Sequence, residues 1–211
     1  MTPVFPVILS SPSGGGKTTI ARALVAGRMD VGYSVSCTTR APRAGEVDGR
    51  DYHFLTEAQF TAKRERGEFA ESAPVHGMWY GTLRSEVEQV LASGKHVIMD
   101  IDVQGAAQFR RAFPQSVLVF VLPPSGEAML ARLKDRGTES AASLQRRLKS
   151  ALAELKAVGE YEYVVVNDEL AAAVAKVSEI LDAEAMRRTR LTGLERDLRS
   201  IVERLEREIN A

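Results

Sequence analysis

The chain has 211 residues, with 28 Lys and Arg balanced by 28 Asp and Glu, 45% hydrophobic residues and a single cysteine, Cys37. That length can bury a substantial core as one domain with inserted subdomains, and zero net charge leaves no global field to attract nucleic acid or an anionic membrane. A lone cysteine excludes an internal disulfide and fits a reducing cytosol, and with the three histidines it lacks the spacing of a structural zinc site.

The apolar run Val117–Leu122 is too short to cross a bilayer, and no basic-then-apolar signal pattern is evident, so a soluble cytoplasmic enzyme is expected. The first element is a strand, about Val4–Leu9, followed by SSPSGGGKTT (Ser10–Thr19) and a helix over about Lys17–Gly27. Strand, glycine-rich loop and helix in that order fit a phosphate-binding loop. Gly14, Gly15 and Gly16 let the backbone wrap phosphate oxygens, the helix N-terminus adds partial positive charge, Lys17 reaches the terminal phosphates, and Thr18 Oγ1 can ligate Mg²⁺. The pattern G-x-x-x-x-G-K-[ST] would put glycine at position 11, where this chain has Ser11.

A short strand at Tyr33–Ser36 is expected next, then an Arg-rich polar loop and a strand over Asp51–Leu55. Thr56 and Gln59 form a capping box for a helix that Gly67 ends. Strand-like pieces at Phe69–Glu71 and Met78–Thr82 precede a helix over about Leu83–Ser93. His96–Ile101 reads as a buried strand whose carboxyl end carries Asp100 and Asp102, the place for a second phosphate/Mg²⁺ element. A helix around Gly105–Phe113, a strand at Ser116–Leu122 and a helix from Ser125 to Gly137 follow. The next helix has Leu144, Leu148, Leu152 and Leu155 on one face. Tyr163–Val166 is the last core strand, with Asn167-Asp168 capping the terminal helix. Alternating strands and helices argue for an α/β fold with a mainly parallel central sheet, and ligands of such sheets sit at the strands' carboxyl ends. The segment Ser36–Thr82 breaks the alternation and reads as an antiparallel insertion.

Three stretches taken together, SVSCTTRAPRAGEVDGRDYHF (Ser34–Phe54), MWYGT (78–82) and DIDVQG (100–105), resemble guanylate kinase. The resemblance covers the chain to about Arg190. It implies a P-loop NTPase-type three-layer fold with an inserted GMP-binding subdomain and a small helical lid. The implied division is a core of 1–35, 84–124 and 151–190 within a single domain 4–190, a GMP-binding part at 36–83, a lid at 125–150 and an extension at 191–211. It also implies transfer of the γ-phosphate of ATP to GMP, and to dGMP as well, with Mg²⁺, in purine nucleotide metabolism and GMP recycling.

Arg40 and Arg43 flank Ala41-Pro42 on an extended loop, and two guanidinium forks suit a dianionic phosphate. Positions matching Arg40, Arg43, Tyr52 and Tyr80 hold the GMP phosphate in the family. Guanine offers N1–H and the N2 amine as adjacent donors, which one carboxylate can accept; the resemblance puts Glu71 there, with Ser36 and Thr82 beside it and Asp100 and Asp102 completing the GMP side. For ATP it implies Ser11, Pro12, Ser13, Gly14–Gly16, Lys17, Thr18, Thr19, Arg132 and Asn167, the last near adenine. Thr18 and Asp100, directly or through water, are the metal positions, and Lys17, Arg136 and Arg147 the catalytic cations, with Arg146 the competing neighbour of Arg147.

Cys37 reads as a space-filling residue whose alkylation would at most hinder GMP binding. Leu191, Leu194, Leu198, Ile201 and Leu205 make a heptad-like stripe on a long terminal helix, which either packs on the core or self-associates, leaving a monomer or a homodimer. Two other readings stand beside the enzyme: a non-catalytic guanylate-kinase-like interaction domain, and a same-fold kinase for another monophosphate. Retention of Lys17, Thr18 and Asp100 favours the enzyme over the first, and Glu71 decides against the second.

Overall fold

The computed structural model describes residues 3–75, 77–134 and 141–210, with only the backbone described for 141–144 and 146. Five strands form one wholly parallel sheet in the order β2-β7-β1-β8-β9: β1 Pro6–Ser10, β2 Val31–Tyr33, β7 His96–Asp100, β8 Val117–Leu122 and β9 Tyr163–Val166. The central strands are apolar along their whole length because helices cover both faces. On one face α1 (Lys17–Gly27) and α7 (Leu170–Ala185) bury Ile20, Leu24, Val177 and Leu181 against Val7, Leu9 and Val119. On the other, α3 (Arg84–Ala92) and α4 (Val103–Ala112) bury Val87 and Phe109 against Ile8, Val97 and Met99. Each large side chain so buried contributes about 1.5–3 kcal/mol.

A second sheet, in the order β4-β3-β6-β5, is made of β3 Cys37–Thr38, β4 His53–Phe54, β5 Phe69–Val75 and β6 Met78–Leu83. The insertion expected to be antiparallel is mixed, since β3 and β4 run parallel. Helix α2 (Glu57–Glu65) starts at the expected capping box, with Gln59 N–H donating to Thr56 Oγ1 and Gln59 Oε1 accepting from Thr56 N–H. It packs Phe60 on Phe69 and Cys37. Strand β5 runs on past the expected Glu71, and its Pro74 is exposed on the edge strand, where a missing N–H costs no ladder bond.

Other boundaries also depart from the sequence expectation, among them β4, which is His53–Phe54 rather than Asp51–Leu55. The second strand is Val31–Tyr33 rather than Tyr33–Ser36, because its partner β7 gives it pairing only from His96 to Ile98. Helix α4 begins at Val103, capped by Asp102, whose Oδ1 accepts from Gly105 N–H at 2.7 Å. Asn167-Asp168 does not cap α7, whose N-cap is Glu169 without a side-chain bond. Finally, the terminal segment is two helices: α7 ends at Ala185, a 3₁₀ turn spans Arg188–Arg190, and α8 (Leu194–Ile209) restarts after Gly193 in the left-handed region.

Two further helices, α5 (Gly126–Lys134) and α6 (Ala141–Lys156), pack together beside the P-loop. Of the leucines expected on one face of α6, Leu148 and Leu155 are half-buried and Leu152 is 58% exposed, the side chain of Leu144 lies outside the described residues, and Arg147 and Ala151 are buried. Among the described residues no helix is long and apolar enough to cross a membrane.

Candidate active site

Strand β1 delivers the loop Ser11–Gly16 to the carboxyl edge of the large sheet, between β7 and β8 and within reach of Asn167 after β9. Gly14 and Gly16 have φ of 85° and 90°, a region that side chains avoid, and Gly16 is the N-cap of α1. The loop is held from three sides. Asn167 Nδ2 donates to Gly15 O at 2.8 Å, Glu154 Oε2 accepts from Ser13 N–H at 3.1 Å, and Arg147 Nη2 donates to Ser13 Oγ at 3.3 Å. Arg147 also donates to Leu133 O, which ties α6 to the end of α5.

Two cavities open on the loop. The outer one, about 410 Å³, is lined by Gly14, Gly16, Thr19, Arg132, Asn167, Asp168 and Leu170. Arg132 Nη2 donates to Asn167 O at 3.0 Å and so forms one wall. The inner one, about 250 Å³, lies between the two sheets and gathers ten of the sequence-expected residues: Lys17, Thr18, Ser36, Arg40, Arg43, Tyr52, Glu71, Tyr80, Asp100 and Asp102. Lys17 and Thr18, at the start of α1, therefore face away from the outer cavity and into the inner one.

At the mouth of the inner cavity the Asp100 carboxylate accepts from Thr18 Oγ1 on one oxygen and from the Tyr33 hydroxyl on the other. Burial and the adjacent Asp100 charge push the Tyr33 phenol far up, so it stays a donor. The set is two hard oxygen donors side by side, Thr18 Oγ1 and a carboxylate, which suits a small hard cation that keeps most of its own waters.

On the opposite wall Arg40 is not an unoccupied fork. Its two terminal nitrogens donate to the Glu46 carboxylate at 2.9 Å each, its Nε donates to the Tyr80 hydroxyl at 3.2 Å, and its guanidinium lies 5.3 Å from the Tyr52 ring centroid. The Arg40 bond, helped by the Arg43 N–H, holds Glu46 below the ordinary carboxylate range. Arg43 lines the same cavity with an exposed side chain.

Glu71 sits on the floor, 5% exposed, and its Oε1 accepts from Thr82 Oγ1 at 2.7 Å. Burial pushes its carboxyl up to about 7, with the nearby Asp102 charge adding to the rise. Gly105 makes room for it, since a Cβ there would lie 2.6 Å from Glu71 Oε2. Thr82 is fully buried and supports Glu71 from behind without lining the cavity.

Ser11, Pro12, Ser13 and Gly15 shape the loop without lining either cavity, and Arg147 lies against Ser13. Arg136 lies outside the described residues, as does the side chain of Arg146. The sequence reading missed Tyr33, Glu46 and Glu154. Glu46 carried a weak signal, an acid six residues after Arg40 behind a turn glycine; Tyr33 and Glu154 carried none. Cys37, on β3 of the smaller sheet, is fully buried, and burial pushes its thiol up to about 12. It fills space and is poorly placed for alkylation.

Comparison with known proteins bears on this arrangement. Residues 4–184 match the family model described as "Guanylate kinase". A guanylate kinase from Aromatoleum aromaticum is 46% identical over 181 residues, 86% of this chain and 89% of that protein. One from Anaeromyxobacter dehalogenans is 48% identical over 187 residues, 88% of this chain and 83% of its own. The crystal structure of guanylate kinase from Anaplasma phagocytophilum superposes with a TM-score of 0.79 at 33% identity, covering 95% of this chain and 96% of that one.

Proposed function

The chain belongs to the guanylate kinase family, and from that membership we propose how its residues move the γ-phosphoryl group of ATP onto GMP. The enzyme is a nucleoside monophosphate kinase that makes ADP and GDP. Its labour divides between a core (1–35, 84–124, 151–190), a GMP-binding part (36–83), a lid (125–150) and a C-terminal extension (191–211).

ATP enters from the outer cavity, its base and ribose against Arg132 and Asn167 and its phosphates in the loop Ser11–Thr19. GMP enters the inner cavity. Its phosphate meets Arg40, Arg43, Tyr52 and Tyr80, and its base meets Glu71, with Ser36 and Thr82 alongside. The observation that carries this reading is Glu71: a carboxylate buried on the floor of the cavity whose mouth holds Lys17 and Thr18. A buried carboxylate needs donors, and guanine supplies two adjacent ones. Adenine would set an acceptor at N1 against it and leave Glu71 unpaired, a mismatch worth about 10⁴-fold or more in specificity.

No general base is required, because the attacking GMP phosphate oxygen is already anionic. Catalysis is positioning and charge stabilisation. Glu46 holds Arg40 in place and occupies its fork, so the incoming phosphate meets the remaining Nη2 N–H of Arg40 together with Arg43. Lys17 reaches the transferring phosphoryl group from the inner cavity, and Arg136 and Arg147 approach that group when the lid closes and excludes water. Asp102 fixes the start of α4 beneath the base. We assign Mg²⁺ to Thr18 and Asp100, directly or through water; when bound it neutralises charge on the ATP phosphates. The enzyme works in the cytoplasm on small-molecule substrates, and self-association belongs to the extension.

A coupled ADP-release assay across GMP, dGMP, AMP, UMP and CMP tests the assignment. Turnover is expected with GMP and dGMP and at background with the rest. Comparable turnover of AMP or UMP would sink the role given to Glu71.

A further inference from the structure

Helix α8 has no buried residue, and its apolar side chains stand in solvent: Leu198 50%, Ile201 56%, Leu205 57% and Ile209 81% exposed. It lies beyond residue 184, where the family model ends, and lines neither substrate cavity. Leucine and isoleucine held in water forgo most of the burial energy that such side chains supply, so a face of this kind needs a cover.

The pattern of charge and size says which cover fits. The helix carries Arg196, Arg199, Arg204 and Arg207 against Glu195, Asp197, Glu203, Glu206 and Glu208. An anionic membrane surface would repel more of these groups than it attracts. The apolar positions follow heptad spacing, with Leu194 and Ile201 at d and Leu198 and Leu205 at a.

We propose that α8 pairs antiparallel with α8 of a second copy of this chain, about a two-fold axis between Arg199 and Ser200. In that register Leu194 packs on the partner's Leu205 and Leu198 on the partner's Ile201. The symmetry repeats both, which gives four complete apolar layers from two short helices. On one flank of the seam the g positions then meet as Asp197 with the partner's Arg204, and the symmetry repeats that pair at the other end, while on the other flank Glu195 meets the partner's Val202. A parallel pair would put Asp197 against the partner's Val202 and Arg204 against the partner's Ile209, wasting both charges. The ion pair that Arg204 makes with Glu208 along its own helix is exposed and is exchanged at little cost.

Sedimentation equilibrium of the full chain over roughly 1–100 µM tests the pairing, since a weak homodimer dissociates on dilution. The apparent mass is expected to rise toward twice 23.1 kDa with concentration. Leu198→Glu with Leu205→Glu should weaken association by about 100-fold or more, with GMP kinase turnover in dilute assay unchanged, which shows that the fold is intact. Asp197→Arg or Arg204→Asp alone should weaken it by about 3- to 10-fold, and the two together in one chain should restore it, because each then meets its opposite again. Constant monomer mass overturns the proposal, whether or not the monomer sediments with anionic vesicles. Association that survives the double glutamate variant, or that the charge swap fails to restore, overturns it as well.

Discussion

Ser11 occupies the place where the phosphate-loop pattern has glycine, and its side chain decides what its neighbour can be. A Cβ on Gly15 would lie 2.5 Å from Ser11 Cβ and 2.7 Å from its Oγ, which donates to Pro12 O. Gly15 is outside the left-handed region, so space, and not backbone conformation, demands glycine there. Ser11→Gly should therefore leave turnover nearly unchanged, while Gly15→Ala should raise the KM for ATP by about tenfold, the kinetic equivalent of overpacking by 1–3 kcal/mol. The double variant should recover most of that loss; a double variant as poor as Gly15→Ala would show that Ser11 is not the obstacle. Glu71 gives a second test at this scale. Its carboxyl is raised to about 7 from an ordinary value of 4.5. The folded protein thus holds a proton that the unfolded chain releases between those pH values, and its ionisation costs stability as pH rises through that window. Glu71→Gln should raise Tm by a few degrees at pH 8 and hardly at all at pH 4.5, measured by calorimetry. An equal gain at both values would mean that the carboxylate's burial is not the cause.

The elements around the loop act as clamps. Asn167, at the end of β9, reaches back to Gly15 O, and a Cβ at Gly16 would collide with its amide at 2.3 Å. Asn167→Ala should cost about 1–3 kcal/mol in denaturant unfolding, because it orphans a buried carbonyl, and should raise the KM for ATP more than that for GMP. Thr56→Ala, which removes the cap of α2, should cost about 1 kcal/mol and leave both constants alone. What was legible in the sequence follows from the same physics. The loop could be read because its glycines and Lys17 serve local backbone geometry, and α2 because its capping box is written within four residues. The apolar strands β1, β7 and β8 could be read because both faces are buried. Asn167 looked like a helix cap because its partner is 152 residues away. Helix α6 looked like a leucine-faced helix because nothing local says that Arg147 and Glu154 turn inward to Ser13. The terminal stripe reads in the sequence as one long helix, yet Leu191 falls in the turn before Gly193 and only the positions from Leu194 onward lie on α8.

At the scale of the whole molecule, two sheets with separate apolar cores enclose one polar cavity. The large sheet with its helix α1 supplies Lys17, Thr18 and Asp100, and the small sheet with its loop supplies Arg40, Tyr80 and Glu71. Arg22 on α1 bonds Asp51 on that loop at 2.8 Å, an exposed clasp between the halves that water and salt screen readily. On the proposed function each half binds its own substrate, which makes their affinities separable. Paired calorimetric titrations of Glu71→Gln, one with ATP and Mg²⁺ and one with GMP, test this most directly. GMP affinity should fall by about 10³-fold or more, since an amide cannot accept from both guanine donors, while ATP affinity stays within about twofold of the parent. GMP binding that survives the substitution, or ATP binding lost in step with it, would contradict a guanine-reading floor set apart from the phosphate loop.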